Sequence, residues 1–172
     1  MTRRVALALG SNLGARAAYL AAARRRLAAR WGRPEAASTI YETEPVGPAG
    51  QAPYLNQVVI FATAAPAAEI LAAAHEIETQ LGRVRDQRWG ARTMDIDLLL
   101  CGAERHATAQ LQVPHPRLTE RPFVLVPLAE VYPDWRDPRS GRSVRELLSA
   151  AGASGVAPWG PPHAVGAEDA RG

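Results

Sequence analysis

Between Met94 and Leu100 the chain reads MDIDLLL, and this alternation restricts the fold more than any other stretch does. Successive side chains of an extended chain point to opposite faces, so Asp95 and Asp97 share one face of a strand while Met94, Ile96 and Leu98 share the other. The apolar run at residues 98–100 marks a strand buried on at least one side. Carboxylates at i and i+2 lie about 7 Å apart at their Cα atoms, near enough to ligate one hard cation or to bracket a pair. Burying two like charges is costly without a partner, which separates this pair from the solvated edge that an isolated Asp-x-Asp more often marks.

Residues 82–93 read as a loop, with Arg83, Arg85, Arg88, Trp89 and Arg92 set around the breakers Gly82 and Gly90. Taken alone, an Arg-rich loop is a hydrated surface or a phosphate-backbone contact. Next to an acid pair it suits a metal-bound nucleotide. Magnesium takes a few carboxylate oxygens, keeps several waters and completes its shell with substrate phosphates.

Composition removes several alternatives. All 20 basic residues are Arg and none is Lys, which excludes a Walker P-loop, the strand lysine of protein kinases and Schiff-base chemistry. At 172 residues and 47% hydrophobic content the chain is expected to form one domain over residues 1–151, with a mobile Gly/Ala/Pro-rich tail at 152–172. The single Cys101 allows no internal disulfide, so a reducing cytoplasm is the default. No apolar run approaches the length of a membrane span.

Residues 5–9 read as a buried strand and 10–14 as a connecting turn. A helix over 15–31 carries an apolar stripe of Leu20, Ala23, Leu27 and Trp31, with Arg24, Arg25, Arg26 and Arg30 largely on a solvated outer side. Strands follow at 39–43 and 54–63. In the second, Tyr54 and Asn56 share a face, which suits either a small planar ligand or a solvent-facing strand end. Pro66 begins a helix whose stripe of Ile70, Ala74, Ile77 and Leu81 ends at Gly82, with His75 and Glu78 one turn apart. After the acidic strand, residues 105–113 suggest a hairpin partner, two prolines stiffen the backbone around His115, and 124–131 fit a helix. The order predicts an α+β fold of the ferredoxin-like split β-α-β kind, a mostly antiparallel sheet with helices packed on it.

The strings LGSNLG, YETEPVG, YLNQVV, GRVR, RWGARTMDIDLLL and VPHPRLTERPFVLVPLAEV, in this order over residues 5–131, closely resemble the 6-hydroxymethyl-7,8-dihydropterin pyrophosphokinases of folate synthesis. The resemblance implies transfer of the β,γ-pyrophosphoryl group of ATP to the pterin hydroxymethyl oxygen, with release of AMP. It implies two magnesium ions on Asp95 and Asp97, phosphate contacts from Arg83 and Arg92, and Asp97 as a candidate proton acceptor. Tyr54, Phe123 and Trp89 correspond to aromatics around the pterin, with Thr43, Val46 and Asn56 at its edge. Leu71, His75, Glu78, Arg85, Trp89, Leu98, His115 and Arg121 correspond to nucleotide-side positions. His75, Gln110 and the short Asp86-Gln87 loop depart from the family pattern. The implied partners are ATP and the pterin, without nucleic acid or membrane, for a cytoplasmic monomer. The main alternative is an RNA-binding module on a similar sheet, against which the acid pair and the missing aromatic RNP pattern stand.

Overall fold

The strand at the start of the chain feeds two cores at once. In the computed structural model, which describes residues 1–45, 47, 49–82 and 93–160, β1 (Arg3–Ser11) is the second strand of the main sheet, flanked by β4 (Tyr54–Thr63) and β5 (Asp95–Cys101), both antiparallel to it. Its odd-numbered residues Val5, Leu7 and Leu9 enter one apolar cluster with α1 (Arg16–Trp31) and α2 (Ala67–Gln80). Its even-numbered Ala6 and Ala8 enter another, with α3 (Pro122–Val131) and α4 (Val144–Ala151). Side-chain alternation along a pleated strand produces that division.

The remaining strands are β2 (Ala36–Ala37), β3 (Tyr41–Thr43), β6 (His106–Ala107), β7 (Gln112–Val113) and β8 (Val156–Pro158), with a short 3-10 turn at Leu118–Glu120 before α3. The main sheet runs β5-β1-β4-β3-β8, and β2 also pairs with β4. Each helical crossover, β1-α1-β3 and β4-α2-β5, leaves room for one antiparallel strand between its two strands. This is the expected split β-α-β arrangement.

Local chemistry accounts for the elements. Helix α1 buries Leu20, Ala23 and Leu27, and its last residue, Trp31, packs edge-to-face on Phe61 with ring centroids 5.9 Å apart. The arginines of α1 are only partly a solvated face: Arg24 donates to Gln57 Oε1 at 2.7 Å, Arg26 donates to Gln80, and Arg30 pairs with Glu76. Helix α4 opens with a capping box in which Ser143 and Glu146 satisfy each other's backbone N–H groups. On α3, Glu130 accepts from the Thr39 and Tyr41 hydroxyls, both at 2.7 Å, and so ties the helix to the β3 edge.

Five expectations need correction. Pro66 caps α2 from outside instead of occupying its first turn. The strand expected at 39–43 is shorter, because the edge breaks between β2 and β3 where the Ser38 hydroxyl takes the Val58 N–H at 3.0 Å. Gly10 and Ser11 continue β1 instead of forming a turn. The 105–113 hairpin closes on itself as β6-β7, outside the main sheet. The boundary expected at Ala151 falls inside the fold, since β8 pairs with β3 and the Trp159 N–H donates to the Ile40 carbonyl. Residues 161–172 of the expected tail lie outside the described residues. Among the described residues no helix is long and apolar enough to cross a membrane.

Candidate active site

Helix α3 does not cover its face of the sheet to the end. Arg121 precedes its first residue, and beyond it the strand ends of β1, β4 and β5 floor an open cleft of about 640 Å³. The register decides what stands there. Gly10 pairs with Asn56 on one side and with Asp95 on the other, while Ala8 pairs with Asp97. An amide and a carboxylate therefore flank a glycine in one row across three strands, roughly 10 Å apart at two strand spacings.

The small residue in the middle is a requirement. A Cβ at Gly10 would lie 2.8 Å from Asn56 Oδ1 and 3.5 Å from a ring carbon of Tyr54. Asn56 donates from Nδ2 to the Thr43 hydroxyl at 2.6 Å, and both residues are nearly buried. The amide is held in one orientation, a polar fixture beside the Tyr54 ring in a cleft that Phe123 also lines. Gly10 is one lining residue that sequence reasoning missed. The available signal was a glycine continuing an apolar strand pattern, which marks a close approach.

Asp95 and Asp97 both line the cleft, and the burial pattern of β5 alternates as expected, with Ile96 and Leu98 buried behind them. Alternation ends at Leu99, the extra residue of a β-bulge against Ala6 and Leu7, so Leu99 and Leu100 both face the α3 side. Arg121 holds its guanidinium 3.7 Å from Asp97 Oδ2 and 5.5 Å from the Phe123 ring centroid, placing a cation between the acid and the aromatic.

His115 lines the same cleft. Its N–H donates to the Leu99 carbonyl at 2.9 Å, and its Nδ1 accepts from the Arg117 N–H at 3.1 Å. Burial, followed by the nearby Arg121, pushes its pKa down to about 4. At neutral pH the ring is therefore uncharged, accepts at Nδ1 and carries its proton on Nε2.

A second cavity of about 290 Å³ opens on the other side of Asp97 and His115, which line both spaces. Leu71 and His75 of α2, Leu98 and Gln110 are among its other lining residues, so His75 and Gln110 face one space. Glu78 lines neither cavity. It is buried against β5, where its Oε2 accepts from the Ile96 N–H at 3.3 Å and so supports the acidic strand. Val46, Arg83, Arg85, Arg88, Trp89 and Arg92 lie outside the described residues.

The donor set suits magnesium. Two half-exposed carboxylates share one strand face, and among the described residues no third His, Cys, Asp or Glu completes a protein-only metal cage. Magnesium needs no such cage when phosphate and water supply its other ligands.

The cleft of this split β-α-β sheet thus sets paired acids beside an amide and an arginine. A family model, 7,8-dihydro-6-hydroxymethylpterin-pyrophosphokinase (HPPK), matches residues 6–133. The 2-amino-4-hydroxy-6-hydroxymethyldihydropteridine pyrophosphokinase of Bacillus subtilis is 48% identical over 130 residues, 73% of this chain and 75% of its own. Its Pseudomonas aeruginosa counterpart is 42% identical over 160 residues, 91% of this chain and 96% of its own. Among solved structures, wild-type Plasmodium falciparum HPPK-DHPS superposes with a TM-score of 0.66 at 14% identity over 87% of this chain. This chain spans only 45% of that longer protein, and the likeness establishes the fold. The chain belongs to the 7,8-dihydro-6-hydroxymethylpterin-pyrophosphokinase family, and it is an enzyme.

Proposed function

We propose that the larger cleft holds 6-hydroxymethyl-7,8-dihydropterin, that the smaller cavity holds the adenosine side of ATP, and that pyrophosphate passes between them past Asp97. The observation that carries this reading is the shared wall, since Asp97 and His115 line both cavities. Two substrates seated there present their reacting ends to the same residues.

The pterin ring lies between Tyr54 and Phe123, with its polar edge on Asn56 and Thr43. The substrate hydroxyl oxygen attacks the β-phosphorus of ATP, the α–β bridging P–O bond breaks, and AMP leaves with the electron pair. Asp97 accepts the hydroxyl proton. Arg121 and the Nε2–H of His115 meet phosphate oxygens, while Arg83, Arg85, Arg92 and Trp89 keep the phosphate and covering roles that the family pattern gives them. Asp95 and Asp97 would hold the magnesium, two ions in this reading, which when bound neutralises charge on the transferring phosphates. Transfer of this kind needs little covalent help and much positioning, which the arginines and the fixed amide supply.

In the cell, the reading makes the protein a cytoplasmic monomer acting in folate synthesis, without nucleic-acid or membrane partners. The deciding experiment supplies ATP, magnesium and 6-hydroxymethyl-7,8-dihydropterin and separates the nucleotides formed. AMP in step with pterin consumption is expected. Production of ADP, or nucleotide turnover that does not require the pterin, would overturn the reading.

A further inference from the structure

The family match ends at residue 133, yet the chain returns to the cleft after that point. Helix α4 stops at Ala151, and β8 then runs antiparallel to β3 with Thr43 opposite Val156 and Tyr41 opposite Pro158. Ser154, Gly155 and Val156 line the larger cleft together with Thr43 and Glu44. Two backbone hydrogen bonds pin this return, from the Glu44 N–H to the Gly155 carbonyl at 3.2 Å and from the Trp159 N–H to the Ile40 carbonyl at 2.9 Å.

The turn needs a residue at ease with positive φ. Gly155 has φ +78°, and a Cβ there would lie 3.4 Å from Glu44 Oε2 and 3.6 Å from its carboxyl carbon. The Glu44 carboxylate therefore stands at ordinary contact distance from that position. The strand partner of Val156 is Thr43, whose hydroxyl fixes the Asn56 amide. The wall and the amide thus share one support, and small side chains keep the wall thin at the heterocycle end of the cleft.

We propose that residues 154–156 are a specificity wall for the planar heterocycle, held by the Glu44–Gly155 hydrogen bond, and that they set its affinity without touching the transferring phosphate. The inference rests on the placement of the pterin in the larger cleft. Pocket walls discriminate by excluding bulk and by displacing water from the ligand's edge, so changes here alter heterocycle binding far more than nucleotide binding.

The test uses the full chain, with 6-hydroxymethylpterin and a non-hydrolysable ATP analogue as separate titrants and KM measured for both substrates. Ser154→Trp is expected to weaken pterin binding and raise the pterin KM about tenfold, with ATP affinity and kcat changed less than about twofold. Gly155→Val should weaken pterin binding to a similar extent. Gly160→Val is its control, because Gly160 has the same φ of +78° and, among the described residues, nothing lies within 4 Å of a Cβ there. Val156→Ala, which only trims the wall, should cost about threefold in pterin affinity and decides the matter if a larger side chain disturbs folding. Unchanged pterin affinity in the wall variants, equal losses at Gly155 and Gly160, or equal losses for both titrants would overturn the proposal. Failure of the underlying reading looks different, because the unaltered protein would then not bind the pterin at all.

Discussion

The two faces of the sheet are made from alternate residues of the same strands, yet they end differently. On the α1/α2 face, Leu9, Leu55, Phe61, Ile96 and Leu98 are buried to the strand ends in one cluster. On the α3/α4 face, cover stops at Pro122, and the next positions along the strands are Gly10, Tyr54, Asn56, Asp95 and Asp97. The first face stores stability and the second spends part of its area on a site. Polar side chains remain usable at the end of a strand where no helix reaches, because water or ligand satisfies them there.

Substitutions on the two faces should therefore separate cleanly. The largest effect expected is from Asp97→Ala, which should lower kcat by about 10³-fold or more while the thermal transition moves little. Wild-type-like turnover in that variant would remove the metal assignment. Next comes Phe61→Ala on the sealed face, where a large fully buried ring is lost, with an expected cost of about 3–5 kcal/mol by denaturant unfolding. The protein that remains folded should keep its pterin KM. A large KM change with little loss of stability would break the division between faces.

Gly10→Ala sharpens the comparison, because one methyl group is added on the open face. With only 2.8 Å to Asn56 Oδ1, the amide must move, and the pterin KM should rise about tenfold with a smaller change in the ATP KM. Equal changes in both would mean that Gly10 serves the strand and not the amide.

The smallest effect expected is a pH dependence. The His115 pKa is about 4 in the folded protein, below its usual 6.5, because of burial first and then Arg121, with Asp95 opposing and Arg139 and Arg117 adding to the depression. The folded state therefore binds fewer protons than the unfolded chain between these values. The contribution is fully present above pH 6.5 and is lost as pH falls toward 4, on the order of a kcal/mol. His115→Gln should flatten stability across that window, and an unchanged slope would show that the ring is not held neutral.

Much of this was legible in the chain. The strand and helix order, the opposite faces of Asp95/Asp97 and Ile96/Leu98, and the shared face of Tyr54 and Asn56 all follow from local periodicity. Glu78 shows the limit of that reading. Helical spacing put it beside His75, but spacing does not say which neighbour a helix packs on, and α2 turns this carboxylate under β5. The fate of residues 152–160 was also hidden, since Gly, Ala and Pro describe a tail as well as an edge strand, and only the unpaired edge of β3 decides between them.

By itself, then, the sequence determined the alternation, the punctuation by Gly and Pro, and the absence of lysine chemistry, because each depends on residues close together in the chain. The tertiary structure alone decided that Asn56, Gly10 and Asp95 stand in one row, that Asp97 and His115 face two cavities, and that residues 154–156 return to line the cleft. These are matters of strand register and helix length, and register is set by the sum of pairings across the sheet and not by any one segment of it.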